Sequence, residues 1–290
     1  MTAITERFET AADIQGDDRK ALCDLLLRLG DDALIMGHRN SEWTGIGPIL
    51  EEDIAFSSMA QDKIGHALVF YGMLQDLGVG DPDSMAYLRR AEDFRCASLT
   101  VLECYHDDAE PAPATTLCNN PVRDRLVSDG DWSLAFMRQF LFSEADAIRM
   151  GALESSTYEP LAQFARKTRG EIKYHCMHGR MIIERLTSGG EPAARKMQRA
   201  LDELYPHALG LFETTKWNDR IVTLGLGPDE ATLCERWRAH IVGLLAPTGL
   251  TLPEHAQPIH GGRAGQHPAE MIPLLDALQK VNRLDPGAKW

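Results

Sequence analysis

The chain has 290 residues, 44% of them hydrophobic and 25% charged, a globular composition long enough to bury a substantial core in one domain. Its 43 acidic against 30 basic side chains leave a net charge of −13, which disfavours nucleic-acid backbones and anionic lipid as partners. No apolar run approaches the roughly 20 residues a membrane span needs, and the N-terminal residues mix acids with no apolar stretch, so no targeting peptide is expected and the protein is assigned to the cytoplasm.

Apolar positions recur three and four apart nearly throughout, which predicts helices in chain order. The first runs over 19–43 on Leu22, Leu25, Leu26, Leu29, Leu34 and Ile35, the second over 49–77, and the turn-like TGIGP at 44–48 folds them back as a hairpin. A third segment spans 82–105, followed by the Pro- and Asn-rich connection HDDAEPAPATTLCNNP at 106–121. Helical patterning resumes over 132–153, 158–186, 192–217 and 228–245, and a final amphipathic segment runs from 269 to 283. Two long helical hairpins joined by one long crossover predict an all-α, ferritin-like four-helix bundle with additional C-terminal helices. It forms a single domain over 1–290, with 1–18 as a flexible N-terminal segment and 247–290 as a C-terminal loop and helix.

Such bundles build di-metal centres from one Glu on each of two helices and a Glu-x-x-His on each of the others, because positions i and i+3 share a face. Here Glu42 lies at the end of the first helix, AQDKIGH places Lys63 three residues before His66, and RGEIKYH places Ile172 three residues before His175. An ammonium ligates poorly and an isoleucine not at all, so a standard two-metal centre is not expected. Asp62 with His66, and Glu171 with His175, are also spaced i, i+4, which leaves room for one mononuclear ion. In the competing reading, a buried Lys63 ammonium among Glu42, Asp62 and Glu171 balances the carboxylates that a metal would otherwise neutralise.

The six cysteines (Cys23, Cys96, Cys104, Cys118, Cys176, Cys234) contain no CxxC pair, which speaks against a disulfide framework and a zinc knuckle. His38, His106, His178, His207, His240, His255, His260 and His267 show no ligand spacing and read as structural or exposed, and Phe136, Phe140 and Phe142 read as core. Nucleotide, acyl-serine and zincin signatures are missing. The GGRAG run at 261–265 suits either a phosphate cradle built on backbone N–H groups and Arg263, or a loop that docks on a partner.

Four strings carry a specific resemblance: RLGDDALIMGHRNSEWTGIGPILEEDIA at 28–55, RQFLF at 138–142, EIKYHCMHG at 171–179, and GGRAGQH followed at the end by DPGAKW. Spread over nearly the whole chain, they resemble the C-subunit family of the bacterial phenylacetyl-CoA 1,2-epoxidase. The resemblance implies a ferritin-like, structural subunit of a multicomponent monooxygenase in aerobic phenylacetate catabolism, supporting a homologous catalytic oxygenase subunit. That partner is expected to hold the di-iron centre, with no cofactor in this chain. Lys63 and Ile172 stand where the catalytic relatives have ligand glutamates, and their third-helix acid falls at Ser143, with Glu144 and Asp146 only nearby. The expected assembly is a hetero-oligomer, a homodimer also being compatible, with reductase and acyl-CoA substrate as further contacts. The strings at 43–52 and 260–267 are the expected docking segments. The alternative is an autonomous ferritin-like metal-dependent oxidase or oxygenase holding one ion through Glu42, His66, Glu171 and His175.

Overall fold

The computed structural model describes residues 7–105, 126, 130–285 and 287–288. The Pro-rich connection at 106–121, with His106 and Cys118, lies outside the described residues.

Helix α1 spans Gly16–Ser41 and α2 spans Leu50–Asp76. Asp17 and Asp18 occupy the first turn of α1, and His38 and Arg39 the last, the charge order that the helix macrodipole favours. Gly78 follows α2 with φ +71°, a left-handed conformation that glycine adopts without a Cβ clash. The two helices pack antiparallel and close: a Cβ on Gly30 would come within 2.7 Å of the Tyr71 ring, and one on Gly37 within 2.8 Å of the Ile64 side chain.

The segment expected as a helix over 82–105 is instead two short helices, α3 (Pro82–Tyr87) and α4 (Ser98–Val101), separated by a 3-10 turn at Ala91–Asp93. Carboxylates of α1 hold the chain extended between them. Asp31 accepts the backbone N–H of Arg95 at 2.6 Å and Asp32 that of Ala97 at 2.7 Å, so these donors are not available to a helix.

Helix α5 (Trp132–Leu153) starts at Asp131, whose carboxylate accepts the backbone N–H of Ser133 at 2.8 Å. The pattern over 158–186 divides into α6 (Glu159–Lys167) and α7 (Arg169–Ser188) at Thr168, whose hydroxyl donates to the Phe164 carbonyl at 3.2 Å. Helix α8 (Glu191–Leu209) ends well before Trp217, passing into a 3-10 turn at Gly210–Phe212, and at Gly210 the Ile259 carbonyl oxygen approaches so closely that an added Cβ would lie 2.2 Å from it. Then come α9 (Asn218–Thr223), α10 (Glu230–Leu245) and α11 (Met271–Leu284).

Helices α1, α2, α5 and α7 form the bundle, and α8 and α10 pack on the outside of α5. The core falls into two parts, one around Leu22, Phe70, Tyr71 and Phe164, the other around Phe136, Leu201 and Trp237. Phe136, Phe140 and Phe142 are buried as expected. Among the described residues there is no β-strand, and the fold is an all-α, ferritin-like bundle. No described helix is long and apolar enough to cross a membrane. Cys23, Cys96, Cys104, Cys176 and Cys234 are free thiols.

Two expectations are corrected here. Residues 7–18 are not a flexible segment: Phe8 and Ile14 are buried, and Phe8 exchanges backbone hydrogen bonds with Thr157 at 2.9 Å and Glu159 at 3.0 Å. The GGRAG run is no phosphate cradle, since the buried Arg263 guanidinium is clamped by Asp32 at 2.8 and 2.7 Å. The start of the same run is packed, Gly261 to Arg263 being buried and an added Cβ on Gly262 lying 2.2 Å from the Cys96 carbonyl oxygen, whereas Ala264 is exposed. Of the two expected docking segments, this one lies in a strap, residues 259–267, that Arg263 fastens to Asp32 of α1, with Gln266 also exposed. The other is split: Trp43 is buried edge-on against Trp132, whereas Leu50 is exposed.

Candidate functional site

The interior between α2, α5 and α7 holds Lys63, His66 and His175, three of the residues singled out in the sequence. Lys63 is 1% exposed and its ammonium forms an ion pair with Asp146, on α5. It also lies 5.5 Å from the centroid of the Phe142 ring. Burial works against the charged form of Asp146, yet Lys63, joined by His66 and His175, outweighs it and holds the carboxyl below the usual range. Beside the pair is a cavity of about 20 Å³, lined in part by Lys63, His66, Asp146 and Arg149, room on the scale of one water.

The two histidines are braced across helices. His66 Nε2 lies 2.8 Å from Glu171 Oε2, and His175 Nε2 lies 2.9 Å from Asp62 Oδ2. The i, i+4 acids are therefore exchanged: each acid serves the histidine of the other helix. A third histidine, His178 on α7, has its Nε2 3.1 Å from Glu52 Oε2 on α2, outside hydrogen-bond alignment. Burial, then the Lys63 ammonium, pushes the His175 ring down to about 4 against the pull of Asp62. The same two causes lower His66, opposed by Asp146 and Glu171. At neutral pH both rings are neutral hydrogen-bonding groups.

The other expected site positions scatter. Ile172 is buried in the apolar core. Ser143 accepts a hydrogen bond from Gln139 at 2.7 Å, and Gln139 in turn accepts from Asn40 at 2.6 Å. Glu144 faces away from Lys63, accepting both Nε and Nη2 of Arg180 at 2.7 Å while His240 Nε2 lies 2.7 Å from it. Glu42 accepts from Arg39 at 2.8 Å, and its carboxyl is raised by burial, which Arg39 and Arg138 only partly oppose. Lys63 is thus buried and paired with an inward acid as expected, but that acid is Asp146 and not Glu42, Asp62 or Glu171. Of the histidines without ligand spacing, His207 contacts Ser98 at 3.0 Å and His267 the Phe94 carbonyl at 3.1 Å, while His255 and His260 are exposed.

This donor set does not suit a di-iron centre. A cation already sits among the acids, Ile172 and Ser143 supply no carboxylate, and the histidine Nε2 atoms are engaged by Glu171 and Asp62. Among the described residues, no three His, Cys, Asp or Glu side chains are grouped to hold a metal ion. The sequence singled out Lys63, His66 and His175 but not Asp146 as the partner, nor the Asn40–Gln139–Ser143 chain. Asp146 lies three residues after Ser143, a spacing that places both on one helix face.

The family model described as phenylacetic acid catabolic protein matches residues 1–290. A curated relative from Escherichia coli (strain K12), described as the C subunit of 1,2-phenylacetyl-CoA epoxidase, is 27% identical over 265 residues, which cover 91% of this chain and 97% of the relative.

Proposed function

The chain belongs to the phenylacetic acid catabolic protein family, and from that premise we propose that it is a non-catalytic subunit of a phenylacetyl-CoA monooxygenase. In this reading it supports a homologous subunit that carries the di-iron centre, and itself holds no metal. The observation that carries the reading is the buried Lys63–Asp146 pair, which supplies from within the chain the positive charge that an iron centre would supply. The similarity to the C subunit of an epoxidase supports the substrate class and the multi-subunit setting.

Three measurements test it. Elemental analysis of the purified chain should give well under one iron or manganese per chain, and two per chain after aerobic purification would overturn the reading. Co-expression with the homologous catalytic-type subunit, assayed for phenylacetyl-CoA epoxidation with reductase, should show turnover that depends on this chain. Equal turnover and equal solubility of that subunit alone would exclude a supporting role. Installing Lys63→Glu, Ile172→Glu and Ser143→Glu together should raise metal affinity, and no gain in bound metal would count against this placement of the former centre.

A further inference from the structure

Helices α5, α6 and α7 leave a groove of about 600 Å³ that is open to solvent. Its α7 wall runs from Arg169 to Glu184, about 22 Å at 1.5 Å per residue, or four helical turns. Its lining includes the small residues Ala147, Gly151 and Ala165, and the thioethers of Met150, Met177 and Met181. Tyr174, Met177 and Met181 are 40%, 59% and 47% exposed and follow one another at three- and four-residue spacing, so one face of α7 is an unpartnered apolar ridge. Methionine suits such a surface because its flexible, polarizable side chain adapts to a partner.

The rim is charged in the opposite sense to the molecule. A chain of net charge −13 here presents Arg169, Lys173 and Arg180 against Glu154 and Glu184. Arg169 is held by Glu154 at 2.9 Å and Arg180 by Glu144 at 2.7 Å, whereas Lys173 has no ion pair among the described residues. A free ammonium above an apolar trough is complementary to an amphipathic helix with acidic flanks.

We propose that this groove seats one helix of the homologous oxygenase subunit, its apolar ridge on Met177 and Met181 and a flanking carboxylate on Lys173. The inference rests on the partnership proposed above and names the face that makes it.

Gly151 offers a clean test. A Cβ added there meets nothing within 4 Å, so Gly151→Phe projects into the trough, and replacing an interior helical glycine does not weaken α5. The full chain, as wild type, Gly151→Phe and Lys173→Glu, is titrated with the purified catalytic-type subunit, with melting temperature and sedimentation of each chain alone as controls. The expected result is unchanged melting and at least tenfold weaker binding for both variants, with the salt dependence of binding reduced for Lys173→Glu. Wild-type affinity in both variants would overturn the groove while leaving the partnership standing. No binding by the wild type would overturn both. A wild-type homodimer that Gly151→Phe converts to monomer would assign the groove to a second copy of this chain and overturn the proposal as stated.

Discussion

Replacing Lys63 by Met removes a buried cation while keeping most of its volume, and the surroundings of that cation set the cost. The Lys63 side chain is 1% exposed and that of Asp146 is 15% exposed, so the pair belongs with buried rather than surface ion pairs. Breaking such a pair from one side costs ~3–5 kcal/mol, because the remaining carboxylate stays buried without its counter-ion. That cost should depend on pH. In the wild type the Asp146 carboxyl is held below its ordinary value, so its contribution is present above the unfolded carboxyl pKa and is lost as pH falls through the folded one. In the variant Asp146 is instead pushed toward its neutral form. His66, no longer held down by Lys63, is also freer to take up a proton beside it. The deficit measured by urea denaturation should therefore be full at pH 7 and clearly smaller at pH 5. The double variant Lys63→Met with Asp146→Leu should recover most of the loss, since it leaves no stranded charge. A deficit under about 0.5 kcal/mol at pH 7, the range of ordinary surface substitutions, would refute the reasoning, as would equal deficits at both pH values or a double variant no better than the single one.

Two further outcomes concern other buried groups. Burial alone pushes the His38 ring down to about 4, below an unfolded histidine near about 6.5. The unfolded chain then binds more protons, so stability falls as pH drops from about 6.5 toward about 4. His38→Leu should flatten part of that slope in denaturation curves, and an unchanged slope would count against it. Arg263→Ala strips Asp32 of its bidentate partner and should cost ~3–5 kcal/mol, with the strap at 259–267 losing amide protection. Retained protection together with wild-type stability would show that the strap is held by other contacts.

The long helices were legible because each buries one continuous stripe, and the hairpin of α1 with α2 followed from the short turn between them. The division at Thr168 was not, since a change of axis at a single residue leaves the apolar period on both sides intact. The extended stretch between α3 and α4 was hidden for another reason: its backbone donors are taken by Asp31 and Asp32, some sixty residues earlier in the chain. In the centre, spacing identified Lys63, His66 and His175 as residues of one interior. It could not say which acid faces which partner, because i, i+4 pairing within a helix and pairing across helices have the same signature in the sequence. Asp62 and Glu171 took the second option. The N-terminal residues were misjudged because their burial depends on Thr157 and Glu159, which local composition does not reveal.

The exchanged acids also have a mechanical consequence. Asp62–His175 and Glu171–His66 are two rungs between antiparallel helices, set one helical turn apart. Sliding α7 along α2 by a single residue, about 1.5 Å, would stretch both rungs at once, and rotating α7 about its axis would swing the His175 ring away from Asp62 and the Glu171 carboxylate away from His66. The rungs thus resist shear and torsion together, as cross-members do in a ladder. Tyr174, Met177 and Met181 project from the same helix that the rungs fasten, so their height and facing along the bundle are set by its polar interior and not by whatever settles against them.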